Sequence, residues 1–207
     1  MSTIAKDADL FAQRYTQAGL AAMQGLDLDR VTRIVEAIWN AYQSDHHIFI
    51  LGNGGSASTS SHVATDLAKG ALGHRGDAPA RPVRALSLTD NSSTITAWAN
   101  DVGYDNIFVG QLQSLLRPDD VVVALSVSGN SRNVLNAIRY ARRVGATTIG
   151  LSGCGGGALQ AAVDVGVVVN SDHYGVVEDV HLQIGHMISY FFRQNIAAGR
   201  APGRSVD

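Results

Sequence analysis

A single α/β domain, built on a parallel sheet covered on both faces and entered through a pair of helices, is the architecture this sequence predicts. Three observations carry that reading. Short, wholly apolar runs alternate with amphipathic stretches along most of the chain, and strands apolar on both sides need helices on both faces of their sheet. The 207 residues suffice for one well-buried core, with no break in composition to argue for two. Two stretches of helical periodicity precede the first apolar run.

The first of these, over 8–22, places Leu10, Phe11, Tyr15, Ala18 and Ala22 near helical spacing. The second, over 26–42, does the same with Val31, Ile34, Val35, Ile38 and Trp39, and Asp27 is its expected N-cap. Strands are then expected at 47–51, 83–88, 120–125, 147–151 and 165–169. Helices are expected at 58–71, 131–144 and 177–197. The Gly, Pro, Arg and Asp residues of 70–82 predict a surface excursion, and 199–207 a tail. A doubly wound sheet of this kind carries its ligand loops at the carboxyl ends of its strands.

Composition narrows the functional classes. A net charge of −2 gives no electrostatic reason for nucleic-acid binding, and no apolar run reaches membrane-spanning length. The opening Met-Ser-Thr-Ile-Ala-Lys-Asp lacks the apolar core of a signal peptide, and the single Cys154 excludes an internal disulfide framework. A soluble cytoplasmic protein is expected. With only 16% charged residues against 45% hydrophobic ones, part of its surface is expected to be buried in an oligomer.

Two loops are suited to a small polar ligand. After the third strand, Ser126, Ser128 and Ser131 surround Gly129 and Asn130 just before a helix begins. Hydroxyls and free backbone N–H groups at a helix N-terminus suit a phosphate dianion, although Ser and Asn also favour ordinary helix caps. No Lys follows at Walker spacing, so a nucleotide triphosphate loop is not indicated. After the first strand, Gly52-Asn53-Gly54-Gly55-Ser56-Ala57 loosely fits a dinucleotide turn, but Asp90, the nearest acid at a strand end, lies too far along for that role.

Among the titratable groups, His62 and Asp66 are four apart on the helix leaving the first loop and share a face. Glu178, His181 and His186 lie on or at the start of the last helix, where His181 is within reach of Glu178. Imidazole and carboxylate donors suit zinc or a similar divalent ion. Glu178 and His186 are about 12 Å apart in helix rise, so one ion takes both only through extended side chains. His46, His47 and His74 read as surface residues, and Cys154 as a small turn residue.

Gly52-Asn53-Gly54-Gly55-Ser56, His62-x-x-x-Asp66, Asn100-Asp101 and Ser126-x-Ser128-Gly129-Asn130-Ser131, in that order, resemble the phosphoheptose isomerase branch of the SIS (sugar isomerase) proteins. The resemblance spans nearly the whole chain. It implies a flavodoxin-like five-stranded parallel sheet, and a homotetramer whose active sites are completed by neighbouring subunits. The implied activity converts sedoheptulose 7-phosphate to D-glycero-D-manno-heptose 7-phosphate, an early step toward the heptose of surface polysaccharides. On this basis residues 1–45 form helices used in oligomerisation, 46–199 the α/β core and 200–207 a tail.

By the same resemblance Asn53, Gly54, Gly55, Ser56, Asn100 and Asp101 contact the sugar, while Ser126, Val127, Ser128 and Ser131 line the phosphate site. His62, Asp66, Glu178 and His186 fall on zinc-ligand positions, and Asp66 and Glu178 also face the substrate. The family usually carries Glu at 66, Gln at 178 and Thr at 127, and its Asp/Arg-containing lead-in to the last helix is here Tyr174-Gly175-Val176-Val177.

The expected chemistry is an enediol route with Asp66 as base and His186 as partner acid, aided by a metal that polarises the oxygens. A His186 that ligates a metal cannot also donate a proton, so its two roles compete. An isomerase of another sugar phosphate, and a non-catalytic SIS module of the type that associates with a replication initiator, are the alternatives.

Overall fold

The computed structural model describes residues 2–73 and 80–202. Two helices, α1 (Thr3–Gln24) and α2 (Leu28–Gln43), lead into β1 (Ile48–Gly52) and α3 (Gly55–Ala68). Next come β2 (Ala85–Ser87), α4 (Ser92–Asp101), α5 (Ile107–Leu115), β3 (Val121–Ser126) and α6 (Arg132–Val144). The chain continues through β4 (Thr147–Ser152), α7 (Gly157–Ala162) and β5 (Val165–Val168) to the long α8 (Tyr174–Ala197). The five strands form one all-parallel sheet in the order β2-β1-β3-β4-β5, the flavodoxin-like order with its switch point between β1 and β3. Both candidate ligand loops, after β1 and after β3, therefore open on one edge of the sheet and side by side.

Period-two alternation divides the sheet's side chains between two cores. Ile48 and Ile50 of β1, with Val121, Val123 and Leu125 of β3, pack on the face covered by α2, α3 and α8. Phe49 and Leu51, with Val122 and Ala124, pack on the face covered by α5 and α6. Every residue of β1 and β3 is buried, as a doubly covered strand requires. The register of this central pair is fixed at its entrance by Asp120. Its buried carboxylate accepts the His47 and Arg117 backbone N–H groups, each at 2.8 Å.

Asp27 caps α2 as expected, its Oδ1 accepting the Arg30 N–H at 3.1 Å. Other boundaries differ. The first ligand loop is tighter than predicted, so α3 begins at Gly55 rather than 58, and β2 is only three residues long. Helices α4, α5 and α7 were not anticipated. Within 70–82, Gly70–Leu72 forms a 3₁₀ turn, and the Tyr42 hydroxyl donates to the Arg81 carbonyl at 2.7 Å. His74 and residues 203–207 of the tail lie outside the described residues. His46 and His47 are half-buried beside Asp120 rather than fully on the surface. No helix among the described residues is long and apolar enough to cross a membrane.

Candidate active site

Helices α3 and α8 cross closely because Gly185 carries no side chain: a Cβ there would lie 2.3 Å from Val63 Cγ2. The next residue, His186, is thereby carried onto the face of α3 that presents His62 and Asp66. His186 Nε2 stands 3.2 Å from His62 Nε2, and Asp66 Oδ2 is 3.5 Å from His62 Nε2 and 3.8 Å from His186 Nε2. These three donors face a cleft of about 350 Å³, whose wall is completed by Gly70, Ser189, Tyr190 and Arg193. A tetrahedral zinc with bonds of about 2.0–2.1 Å spaces its ligand atoms roughly 3.3 Å apart. The His/Asp/His group, with all its donor atoms within 4.8 Å of one another, fits such an ion in both spacing and chemistry.

Glu178 does not join this group. Two turns of α8 separate it from His186, and its carboxylate folds over the start of α3, where a Cβ on Gly55 would fall 2.3 Å from both of its oxygens. There it lines a second pocket of about 130 Å³ with Asn53, Ser56, Leu125, Ser126, Val127, Ser128, Ser131 and Tyr174. Four of the expected metal positions thus divide within one chain into a three-residue cluster and a lone carboxylate beside the cradle.

The loop after β3 does not cap α6 in the ordinary way. Ser131 occupies the N-cap of α6 yet makes no capping hydrogen bond; its Oγ accepts instead from Ser126 Oγ at 3.2 Å. The first turn of α6 is left without a side-chain cap, as an anion site would have it. The glycine-rich segment after β4 braces the loop from behind. Leu159 N–H donates to the Gly129 carbonyl at 2.9 Å, and Asn130 Oδ1 accepts from Ala158 N–H at 3.0 Å. Cys154 belongs to this segment as a turn residue, with φ of +48°.

Asn100 and Asp101 end α4 on an exposed surface, where Asn100 Nδ2 donates to Asp101 Oδ1 at 2.7 Å. Asp101 lines a separate shallow pocket with Ala97, Trp98 and Val102, so this chain does not bring the pair to the cradle. Sequence reasoning missed Tyr190 and Arg193 in the cleft wall, and Asn133, a buried amide behind Asn53. Arg193 lies seven residues beyond His186, two helical turns along the same face of α8, and that periodicity was the available signal.

His181 sits one face away from these groups, fully buried, and neither ring nitrogen has a hydrogen-bond partner; contact with Glu178 is not made. Burial pushes its pKa from 6.5 down to about 4, against a weaker upward pull from the Ser152 backbone. Above pH 6.5 the imidazole is neutral folded or unfolded. As pH falls toward 4 the unfolded chain takes up a proton that the folded chain refuses, so stability falls by up to about 3 kcal/mol. Replacing His181 by Leu is expected to flatten this acid slope, read as the change in denaturation midpoint between pH 7 and pH 4.5.

A five-stranded parallel sheet of this order, with a hydroxyl-rich loop after β3, has the architecture of a SIS domain, and the family described as SIS domain matches residues 13–153. Phosphoheptose isomerases of Akkermansia muciniphila and Sulfurimonas denitrificans are each 37% identical to this chain, over 87% and 82% of it and 90% and 83% of their own lengths. The phosphoheptose isomerase structure from Neisseria gonorrhoeae superposes with a TM-score of 0.82 at 27% identity, covering 93% of this chain and all of that one. The chain belongs to the phosphoheptose isomerase family.

Proposed function

We propose that this protein is an aldose–ketose isomerase that converts sedoheptulose 7-phosphate to D-glycero-D-manno-heptose 7-phosphate. The observation that carries the proposal is the pairing, on α3, of two sites. A phosphate cradle adjoins its first turn, and the Asp66/His186 pair lies two to three turns further along. Residues 55 and 66 are about 16 Å apart along the helix axis, so one sugar phosphate meets both sites only where side chains from each reach inward along α3.

Ser126, Val127, Ser128 and Ser131 hold the phosphate, supplying binding energy remote from the reacting carbons. Asn53, Gly54, Gly55 and Ser56 face the sugar, and Asn100 and Asp101 reach it from a neighbouring subunit. Asp66 removes the proton from C1 and returns it at C2; His186 serves the carbonyl and hydroxyl oxygens as acid where it carries no metal, and where an ion is bound it acts as a ligand instead. His62, Asp66 and His186 would hold a divalent ion, zinc by their donor set, with Glu178 brought in only by a change of its side chain. Such an ion, when bound, polarises the substrate oxygens.

Because ligation occupies His186 Nε2, zinc dependence is informative. Chelation is expected to lower turnover of sedoheptulose 7-phosphate and stoichiometric zinc to restore it. Turnover that rises on chelation would instead mean that His186 works free, as an acid.

A homotetramer is part of the proposal. Ile4, Phe11 and Leu20 of α1 and Tyr190 of α8 are between 58% and 77% exposed, and Ala22 is the only fully buried residue of α1 among those described. Residues 1–45 fit an assembly role, with 46–199 as the catalytic core. The reaction belongs with the cytoplasmic supply of heptose for surface polysaccharides. An isomerase of a different sugar phosphate is the second reading, favoured by one observation: the Glu178 carboxylate stands in the cradle pocket, at the position where the family pattern has an uncharged Gln.

A further inference from the structure

Asn53 is the residue where three ligand loops meet. Its Oδ1 accepts from Asn133 Nδ2 at 2.8 Å and from the Tyr104 hydroxyl at 3.0 Å, and its Nδ2 donates to Asn133 Oδ1 at 2.9 Å. A side-chain amide has two acceptor sites and two donor hydrogens, so three of these four are spent inside the protein. One N–H remains to meet a sugar. Asn133 is only 2% exposed, and its Oδ1 also accepts the Val134 N–H at 3.0 Å, which fixes its orientation. It sits on the first turn of α6, two residues beyond Ser131 at the end of the cradle. Tyr104 follows Asp101 by three residues, in the turn that leaves α4.

We infer that Asn133 and Tyr104 are positioning residues that set the β1–α3 loop through Asn53, so that filling the phosphate cradle orders the loop that grips the sugar. The inference rests on the assignment of the two loops under the proposed function. A phosphate bound at the cradle fixes the first turn of α6, and with it Asn133. The reciprocal amide pair passes that constraint to Asn53 and the backbone of 53–56, while Tyr104 ties in the segment after Asn100 and Asp101. Sugar recognition at this loop then falls mainly to backbone groups and the single free N–H.

The test uses the full-length protein and inorganic phosphate as the probe. Amide hydrogen exchange of 52–57 and 126–134 is followed with and without phosphate in the wild type, Asn133→Ala and Tyr104→Phe. Phosphate is expected to slow exchange in both segments of the wild type. In Asn133→Ala slowing should persist at 126–134 and be lost at 52–57. The exposed Tyr104→Phe, which removes one hydroxyl and leaves the fold unloaded, should lose part of it. Turnover should show KM for sedoheptulose 7-phosphate raised about three- to tenfold with kcat within about twofold, the size of one or two lost hydrogen bonds. Equal protection of 52–57 in wild type and both variants would overturn the inference. Absence of turnover in the wild type would remove the isomerase reading instead, and the exchange data would still decide the coupling.

Discussion

Asp66→Asn is expected to lower kcat for the isomerisation by about two to four orders of magnitude, the contribution typical of a positioned general base. Asn keeps the shape of the side chain and its place between His62 and His186, so the fold and the oligomer should be unchanged. It removes the carboxylate proposed to accept the proton. Asp is one methylene shorter than the Glu of the family pattern, and the close crossing at Gly185, with His186 Nε2 3.8 Å from Asp66 Oδ2, would be the compensation. Lengthening to Asp66→Glu tests that compensation. If the helices are packed for the shorter acid, the longer one crowds His186 and turnover falls rather than rises. Circular dichroism and light scattering establish that either variant is intact before kinetics are read.

Gly129→Ala is expected to damage the other end of the site. Gly129 holds φ at +64°, a backbone region that favours glycine, and a Cβ there would lie 2.0 Å from the Gly156 carbonyl oxygen. The colliding atom is backbone, held by the Gly156 N–H to Gly153 carbonyl bond of 2.8 Å, so a rotamer change cannot relieve it. Strain and overpacking together should cost about 2–4 kcal/mol of stability. The cradle must also part from the segment 153–157, and inorganic phosphate affinity should drop at least about tenfold, since several N–H groups lose their common aim. Denaturant unfolding gives the first quantity and calorimetric titration the second.

Much of this molecule was legible in its sequence, for reasons that particular elements make plain. β1 and β3 announced themselves because a strand buried on both faces is almost wholly apolar, and α2 because its buried positions recur at helical spacing behind an Asp cap. Helix α4 was invisible because its Ser, Thr and Asn residues bury nothing completely, and its Asn91 cap resembles any polar turn. α7 is six residues inside a glycine-rich stretch, too short for a periodic pattern.

The cradle could be read because its residues are contiguous. His62 and Asp66 could be paired because one helix turn joins them. Their meeting with His186, and the diversion of Glu178 toward Gly55, depend on where α3 crosses α8, which glycine at 185 permits but does not by itself foretell. The Asn53–Asn133 pair spans eighty positions of sequence with no periodicity to betray it.

The central claim, that Asp66 moves a proton between C1 and C2 of a phosphosugar anchored at the serine cradle, is tested most directly by running the reaction in heavy water. Purified protein and sedoheptulose 7-phosphate are followed by proton NMR, with Asp66→Asn alongside. The account predicts D-glycero-D-manno-heptose 7-phosphate formed by the wild type and not by the variant, with solvent deuterium at C2 in every turnover in which Asp66 exchanges its proton before returning it. Undiminished turnover in Asp66→Asn, or no conversion by the wild type, would contradict it.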